Sequence, residues 1–280
     1  MAGVADAGRA RESGGMTISQ AQALKAEHLR SLHVPGAPLI LTNVWDAVTA
    51  RIVAVAPGVK ALATASHSIS FAHGVADGEG LTVDQALSAA KIVIDATALP
   101  VSVDFEKGYS PDGSRLEENI TRLIGVGACG LNIEDSVGPP KAPQFAIDTA
   151  ASRVATVRSA ATKAGVPLVI NARVDTLAGG GDWDEAMTRA NAYLDAGADV
   201  IFMLGLGDED KVKRALDEIN GKVSVISNPA SVPLKRLAEL GVSRVSFGPF
   251  ALGLTLAHLQ AAATQLTKLG DYPAELGFKF

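Results

Sequence analysis

Between residues 39 and 247 the chain repeats one plan eight times: a short β-branched apolar run, a polar loop, then an amphipathic helical stretch. The runs are 39–44, 61–65, 101–105, 130–133, 168–171, 200–204, 223–227 and 244–247. Between them the apolar residues recur with the 3.6-residue period. Leu116, Ile120, Leu123 and Ile124 share one helical face, Val154, Val157, Ala161 and Ala164 another, and Val212, Ala215, Leu216 and Ile219 a third. Four runs are entered through a turn with a glycine at position 58, 127, 197 or 241, suited to the left-handed residue that stops a helix. Strands separated by helices pair in parallel, and eight such units without a long foreign insert predict a closed α/β structure, the (β/α)8 or TIM barrel. An open doubly wound sheet is the alternative. The count of eight and the lack of an early glycine-rich fingerprint disfavour it.

The ends and the composition limit what such a barrel does. Residues 1–15 lack the apolar core of a signal peptide and are expected to be a disordered tail, with Met16 as an alternative start. Residues 16–280 then form one barrel domain, opened by a helix over 17–33 that Thr17 or Ser19 caps. A final helix over 251–269 precedes an apolar tail, 271–280, that calls for a partner surface. The net charge of −5 and the absence of a Lys/Arg cluster exclude a nucleic-acid-binding face. No apolar run reaches the roughly 20 residues that span a bilayer. The one cysteine, Cys129, rules out an intrachain disulfide and fits a reducing compartment, so the expected setting is the cytoplasm.

In a barrel of this type the reactive face is the one where strands end. Asp104, Glu106, Glu134, Asp135, Asn171, Arg173, Asp175 and Asn228 all fall at or just past strand ends. Asp104 and Glu106 are two apart, so in an extended chain they leave from the same face and repel unless a cation or a shared proton relieves them. With Glu134 they form an all-oxygen set with no His or Cys beside it, which favours Mg²⁺, with Mn²⁺ as a possibility, over zinc. The alternative is a set of ion pairs at strand ends. Arg173 is suited to gripping a carboxylate or phosphonate in two-pronged fashion, or to neutralising Glu134 or Asp175. The polar loop 66–79 offers Ser66, Ser68 and backbone N–H groups to an anion, His67 as an acid–base group, and Asp77 pointing back over the mouth. Cys129 stands before its strand, at the opposite end, and is expected to be a small core residue.

Together these residues resemble the isocitrate lyase / phosphoenolpyruvate mutase superfamily. The matching motifs are Asn43-Val-Trp-Asp-Ala47, Thr64-Ala-Ser66 with Gly74-Val-Ala-Asp77-Gly-Glu79, Val103-Asp-Phe-Glu-Lys-Gly-Tyr109, Gly130-Leu-Asn-Ile-Glu-Asp135, Asn171-Ala-Arg-Val-Asp175 and Ala196-Gly-Ala-Asp-Val-Ile-Phe202. The resemblance implies a (β/α)8 barrel whose last helix, here 251–280 with the tail, is exchanged between paired subunits of a dimer of dimers. It also implies Mg²⁺-assisted chemistry on small 2-oxo acids, in which a C–C or P–C bond is made or broken beside a pyruvate- or oxaloacetate-like enolate. Carried over, Asp104 is the principal metal ligand, while Glu106, Glu134 and Asp77 hold the metal's waters. Asp77 also lies beside the reacting group. Trp45, Ser66, His67, Ser68 and Arg173 match positions around the 2-oxo-carboxylate, and Asn228 joins the substrate-binding candidates.

The departures narrow the activity. Isocitrate and methylisocitrate lyases carry a Cys- and His-containing loop after the fourth strand whose cysteine is the general acid. Here residues 136–145 read Ser-Val-Gly-Pro-Pro-Lys-Ala-Pro-Gln-Phe, with neither. Lys141 or Gln144 is then the polar candidate near a phosphonyl group. Leu204 stands where the family commonly has Glu or His. The expected enzyme is closer to phosphoenolpyruvate mutase, carboxyphosphonoenolpyruvate mutase, or an oxaloacetate or phosphonopyruvate hydrolase than to isocitrate lyase. A C–C lyase with His67 as general acid, or a catalytically reduced barrel that only binds a metabolite, are the rival readings.

Overall fold

The computed structural model describes residues 18–138 and 143–273. The expected tail at 1–15, the Thr17 cap, Lys141 and the last residues of the apolar tail lie outside them. Among the described residues nine strands form one all-parallel sheet in the order β1-β9-β8-β7-β6-β5-β4-β3-β2. The expected eight become nine because the first run divides at Thr42 into β1 (Leu39–Leu41) and β2 (Asn43–Val44). The two halves pair with opposite edges, Ile40 with Val245 of β9 and Asn43 with Ala63 of β3. One stretch of backbone thus joins both edges and closes the barrel. Asn43 pins this seam: its Nδ2 donates to the Thr64 carbonyl at 2.8 Å, and its Oδ1 accepts the Phe247 and Gly248 N–H groups, each at 2.8 Å.

The remaining strands follow the sequence closely: β3 (Leu62–Thr64), β4 (Val101–Asp104), β5 (Gly130–Glu134), β6 (Val169–Val174), β7 (Val200–Met203), β8 (Val223–Ile226) and β9 (Arg244–Ser246). Strand β6 runs three residues further than its apolar stretch, because Ala172, Arg173 and Val174 pair in register with Ile201, Phe202 and Met203. The described residues also form helices α1 (Ile18–Ser31), α2 (Ala47–Ala54), α3 (Ser66–Ala72), α4 (Val83–Asp95), α5 (Leu116–Gly125), α6 (Ile147–Lys163), α7 (Trp183–Asp195), α8 (Glu209–Glu218), α9 (Leu234–Leu240) and α10 (Phe250–Thr267). Those between the strands bury the faces their periodicity marks. Helix α5 (Leu116–Gly125) buries Leu116, Ile120, Leu123 and Ile124, and α6 (Ile147–Lys163) buries Val154, Val157 and Ala161. Those faces and the outward sides of the strands make one continuous core. Gly58, Gly127, Gly197 and Gly241 all have positive φ, 86° to 106°, so the turns into these strands are left-handed as expected. No described helix is long and apolar enough to cross a membrane.

One segment differs in kind. The chain after β3 winds into helix α3 (Ser66–Ala72) before its polar turn, so Ser66, His67 and Ser68 are helical rather than loop residues. At the other end of the chain, helix α10 (Phe250–Thr267) leaves the barrel almost bare: Leu254 is 74% exposed and Leu259 65%.

Candidate active site

The sheet register assembles the site. Asp104 of β4, Asn132 of β5 and Asn171 of β6 are neighbours in one row across three strands. Two residues further along, Glu134 stands directly opposite Arg173. Alternation along a strand sends residues two apart to the same side, so these five side chains share the barrel's inner face toward its C-terminal mouth.

Asp104 is held from three directions. Its Oδ2 accepts the Ser66 N–H at 3.0 Å and the Ser66 hydroxyl at 2.9 Å, its Oδ1 accepts from Asn132 Nδ2 at 3.3 Å, and its own N–H donates to Thr64 Oγ1 at 2.8 Å. The carboxylate therefore caps the N-terminus of α3, which has no capping side chain of its own.

Beyond β4 the chain turns sharply through Glu106 and Tyr109, two non-glycine residues in the left-handed region with φ of 47° and 53°. Such a conformation costs on the order of 1 kcal/mol per residue, held by what surrounds it. Two contacts hold it here. Tyr109 Oη donates to Glu106 Oε1 at 3.1 Å, and Glu79 Oε1 accepts the Lys107 and Tyr109 N–H groups at 3.2 and 2.7 Å. Glu79 is itself left-handed (φ 68°), and its Oε2 is 3.6 Å from the buried Lys107 ammonium. Glu79 thus ties the loop carrying Asp77 onto the turn carrying Glu106.

Burial pushes the Glu106 carboxyl up to about 7, and the charges of Asp104 and Asp77 add to the rise. Glu106 Oε2 and Asp77 Oδ1 are buried with no hydrogen-bond partner. Burial also raises Glu134, against the opposing pull of Arg173. The Arg173 Nη1 is 2.7 Å from Glu134 Oε2, and its Nε and Nη2 donate to Asp175 at 2.6 and 3.1 Å. Burial alone would disfavour the Arg173 charge, but Glu134 and Asp175 outweigh it and hold the guanidinium protonated. Behind it, Ser136 Oγ donates to Asp175 at 2.7 Å, and Asp135 accepts the Asp175 N–H at 3.1 Å and the Tyr193 hydroxyl at 2.8 Å.

The other expected residues fall elsewhere. His67 is exposed and stacked on Phe71, ring centroids 6.4 Å apart, and no hydrogen bond ties it to the carboxylates. Ser68 is fully buried, its hydroxyl unpartnered. Trp45 packs on Ile69, Leu81 and Ala89. Asn228 serves its own turn, its backbone N–H donating to Ser231 Oγ and its Oδ1 accepting the Ala230 N–H. Gln144 closes the base of the loop after β5, bridged to Ser136 and accepting from Thr176 Oγ1 at 3.0 Å. Cys129 is buried before β5, as expected of a core residue. Sequence reading missed Glu79, Lys107 and Tyr109 as parts of the site, although all three lie inside the quoted motifs. It also missed Arg244, whose only local signal is a charge at the start of an apolar strand.

The donor set is carboxylate oxygen throughout. Among the described residues no group of three His, Cys, Asp or Glu side chains converges closely enough to enclose an ion. The expected convergence of Asp104, Glu106 and Glu134 on one ion is therefore not seen among the described residues.

Comparison with known proteins places the chain in a family. The chain is similar to 2-methylisocitrate lyase of Escherichia coli, 30% identical over 65% of this chain and 62% of that one. It is similar to phosphoenolpyruvate phosphomutase of Streptomyces hygroscopicus, 29% identical over 87% and 80%. A Burkholderia cenocepacia protein provisionally assigned as a phosphonomutase has a crystal structure that superposes with a TM-score of 0.81, at 37% identity over 87% of this chain and 99% of that one. Residues 29–267 match the phosphoenolpyruvate phosphomutase family, and the chain belongs to that family, within the phosphoenolpyruvate mutase / isocitrate lyase superfamily.

Proposed function

We propose that this protein is a Mg²⁺-dependent enzyme that makes or breaks a C–C or P–C bond of a small 2-oxo acid through a pyruvate- or oxaloacetate-like enolate. The observation that carries the reading is the pair of unpartnered buried oxygens, Glu106 Oε2 and Asp77 Oδ1, in the neighbourhood of Asp104. Buried carboxylate oxygens without donors are costly, and a hydrated divalent cation supplies both the charge and the hydrogen bonds they lack. Asp104 would hold the ion, and Glu106, Glu134 and Asp77 its waters. A cation held there would supply Lewis-acid stabilisation to a developing enolate oxygen.

The chain's own residues do the rest. Arg173 donates Nε and Nη2 to Asp175 and holds Nη1 2.7 Å from Glu134, and its remaining N–H bonds are free to meet a substrate carboxylate. Its carboxylate partners hold the guanidinium plane in place, so little side-chain entropy is lost when substrate binds. The loop after β5 contains neither Cys nor His, so the acid step of isocitrate lyases has no counterpart there. That supports a mutase or hydrolase reading over an isocitrate-lyase one. The relatives include both a lyase and a mutase, and neither assigns the bond. The exposed α10 supports a homo-oligomer in which this helix packs on a second copy, with the dimer of dimers as the expected form.

Calorimetry with Mg²⁺ and with oxalate, an enolate mimic, tests the proposal. Wild type should bind both, and Asp104→Ala should lose metal affinity at least tenfold. Absence of Mg²⁺ and oxalate binding by the wild type would overturn the enzyme reading; undiminished affinity in Asp104→Ala would overturn the ligand assignment. A screen of 2-oxo acids and phosphonates for pyruvate release then identifies the bond.

A further inference from the structure

Arg244 is a full positive charge in the middle of the barrel. It opens β9, is 1% exposed, and its guanidinium donates to Ser102 Oγ of β4 at 3.3 Å and to Asn132 Oδ1 of β5 at 3.1 Å. Neither β4 nor β5 neighbours β9 in the sheet, so the side chain crosses the interior to reach them. Barrel interiors of this kind are ordinarily filled by layers of branched apolar residues. Here the space holds Ser102, Asn132, Asn171, Ser224 and Arg244, all buried. No carboxylate lies within ion-pair distance of Arg244 among the described residues, and its Nε is unpartnered. A buried cation with no counter-charge in contact is expensive, so something must justify its place.

The hydrogen bonds show what it does. Asn132 Oδ1 accepts two donors, Arg244 Nη2 and, at 2.8 Å, Asn171 Nδ2. A guanidinium only donates, so the Asn132 amide must present its oxygen to Arg244 and its NH₂ group the other way. The other way is Asp104, whose Oδ1 accepts from Asn132 Nδ2 at 3.3 Å. A flipped amide would set NH₂ against guanidinium and oxygen against carboxylate. We infer that Arg244 is a positioning residue: acting through Asn132, it fixes the orientation of the Asp104 carboxylate and supplies the positive charge that offsets the acidic cluster from beneath. The inference rests on the reading of Asp104 as the principal metal-holding group. Burial lowers the Arg244 pKa to about 10, with the Asp104 charge opposing the fall, so the guanidinium remains charged at neutral pH.

Two measurements on the full-length protein test this separately. The first is Mn²⁺ binding without substrate, followed by electron paramagnetic resonance. Arg244→Met and Asn132→Ala should each weaken Mn²⁺ at least tenfold, and Arg244→Lys, which keeps the charge but not the planar fork, should recover part of the loss. Wild-type affinity in Arg244→Met or Asn132→Ala would overturn the inference. The second is a thermal-melting cycle between Arg244→Met and Asp104→Asn. Arg244→Met leaves the half-buried Asp104 carboxylate, and Asp104→Asn the buried Arg244 guanidinium, without the opposite charge across Asn132, so the double variant should melt above the temperature given by adding the two single shifts. Additive shifts would also overturn it. Should Arg244→Met not fold, Arg244→Lys and Asn132→Ala carry both measurements, the cycle then pairing Asn132→Ala with Asp104→Asn. If wild type binds no Mn²⁺, the metal reading fails, while the melting cycle still decides the relay.

Discussion

Glu134 and Arg173 face each other as direct register partners on β5 and β6, with Oε2 and Nη1 2.7 Å apart, the glutamate buried and the arginine side chain 15% exposed. The ladder places their Cα atoms opposite, so the pair forms without any loop rearrangement. Arg173 completes a triad with Asp175, two residues on along the same chain.

Removing the arginine therefore leaves two buried carboxylates unpaired. Arg173→Met should destabilise the fold by about 3–5 kcal/mol in urea denaturation. The double variant with Glu134→Gln should recover part of that loss. Equal stability of Arg173→Met and wild type would mean the site is far wetter than its burial indicates.

Glu79 bears no direct part in the chemistry proposed, yet its carboxylate satisfies two backbone N–H groups and lies beside a buried ammonium. Glu79→Ala should cost about 2–3 kcal/mol, since Lys107 loses its counter-charge and the left-handed turn its acceptors. The same change should weaken Mg²⁺ binding by releasing Glu106. Glu79→Gln, which keeps one acceptor oxygen, should fall between the two.

His33 governs acid stability from the opposite end of the barrel. It is 1% exposed, its Nδ1 bonded to the Leu29 carbonyl at 2.8 Å, and burial followed by the Arg244 charge lowers it to about 3. The folded state thus refuses a proton that the unfolded chain accepts near 6.5. Fewer protons bound in the folded state means that stability is full above about pH 6.5 and falls as pH drops toward 3. By pH 5 the loss from this group is about 2 kcal/mol. Guanidinium denaturation at pH 7.5 and pH 5 should show that loss in wild type. In His33→Gln the difference should shrink by the same amount, whatever Glu106 contributes in both proteins.

Helix α10 exposes Leu254, Leu256, Leu259 and Leu266 over its length. An apolar helix with so little cover calls for a second copy. Light scattering should find an oligomer, and Leu254→Glu with Leu259→Glu should reduce it to smaller species with the barrel still folded. A monodisperse monomeric wild type would end the idea.

The barrel was legible because its signal is periodic and local. Apolar runs, amphipathic faces and left-handed glycine turns each depend on neighbours within one turn or one strand, and all eight runs fold where their residues indicate. The carboxylates at strand ends were legible for the same reason: Asp104 and Glu134 occupy the last positions of β4 and β5.

What the sequence could not carry is anything closed by long-range pairing. The split of the first strand at Thr42 follows from the need to meet β9 and β3 at once. Helix α3 forms where polar loop was expected, because Asp104, 38 residues away, caps it. That winding turns His67 outward onto Phe71 and leaves Ser66 on the carboxylate. Lys107 and Glu79 are ordinary surface-type residues until the turn folds them together out of water. Arg244 is the plainest case. A charge at the head of an apolar strand reads as a strand-end residue, and only the closed barrel sends it across the interior to Asn132 and so to Asp104. Residue types and spacing thus determined which groups stand at the mouth. Register and closure decided which of them touch, since contacts between strands depend on sheet order and not on distance along the chain.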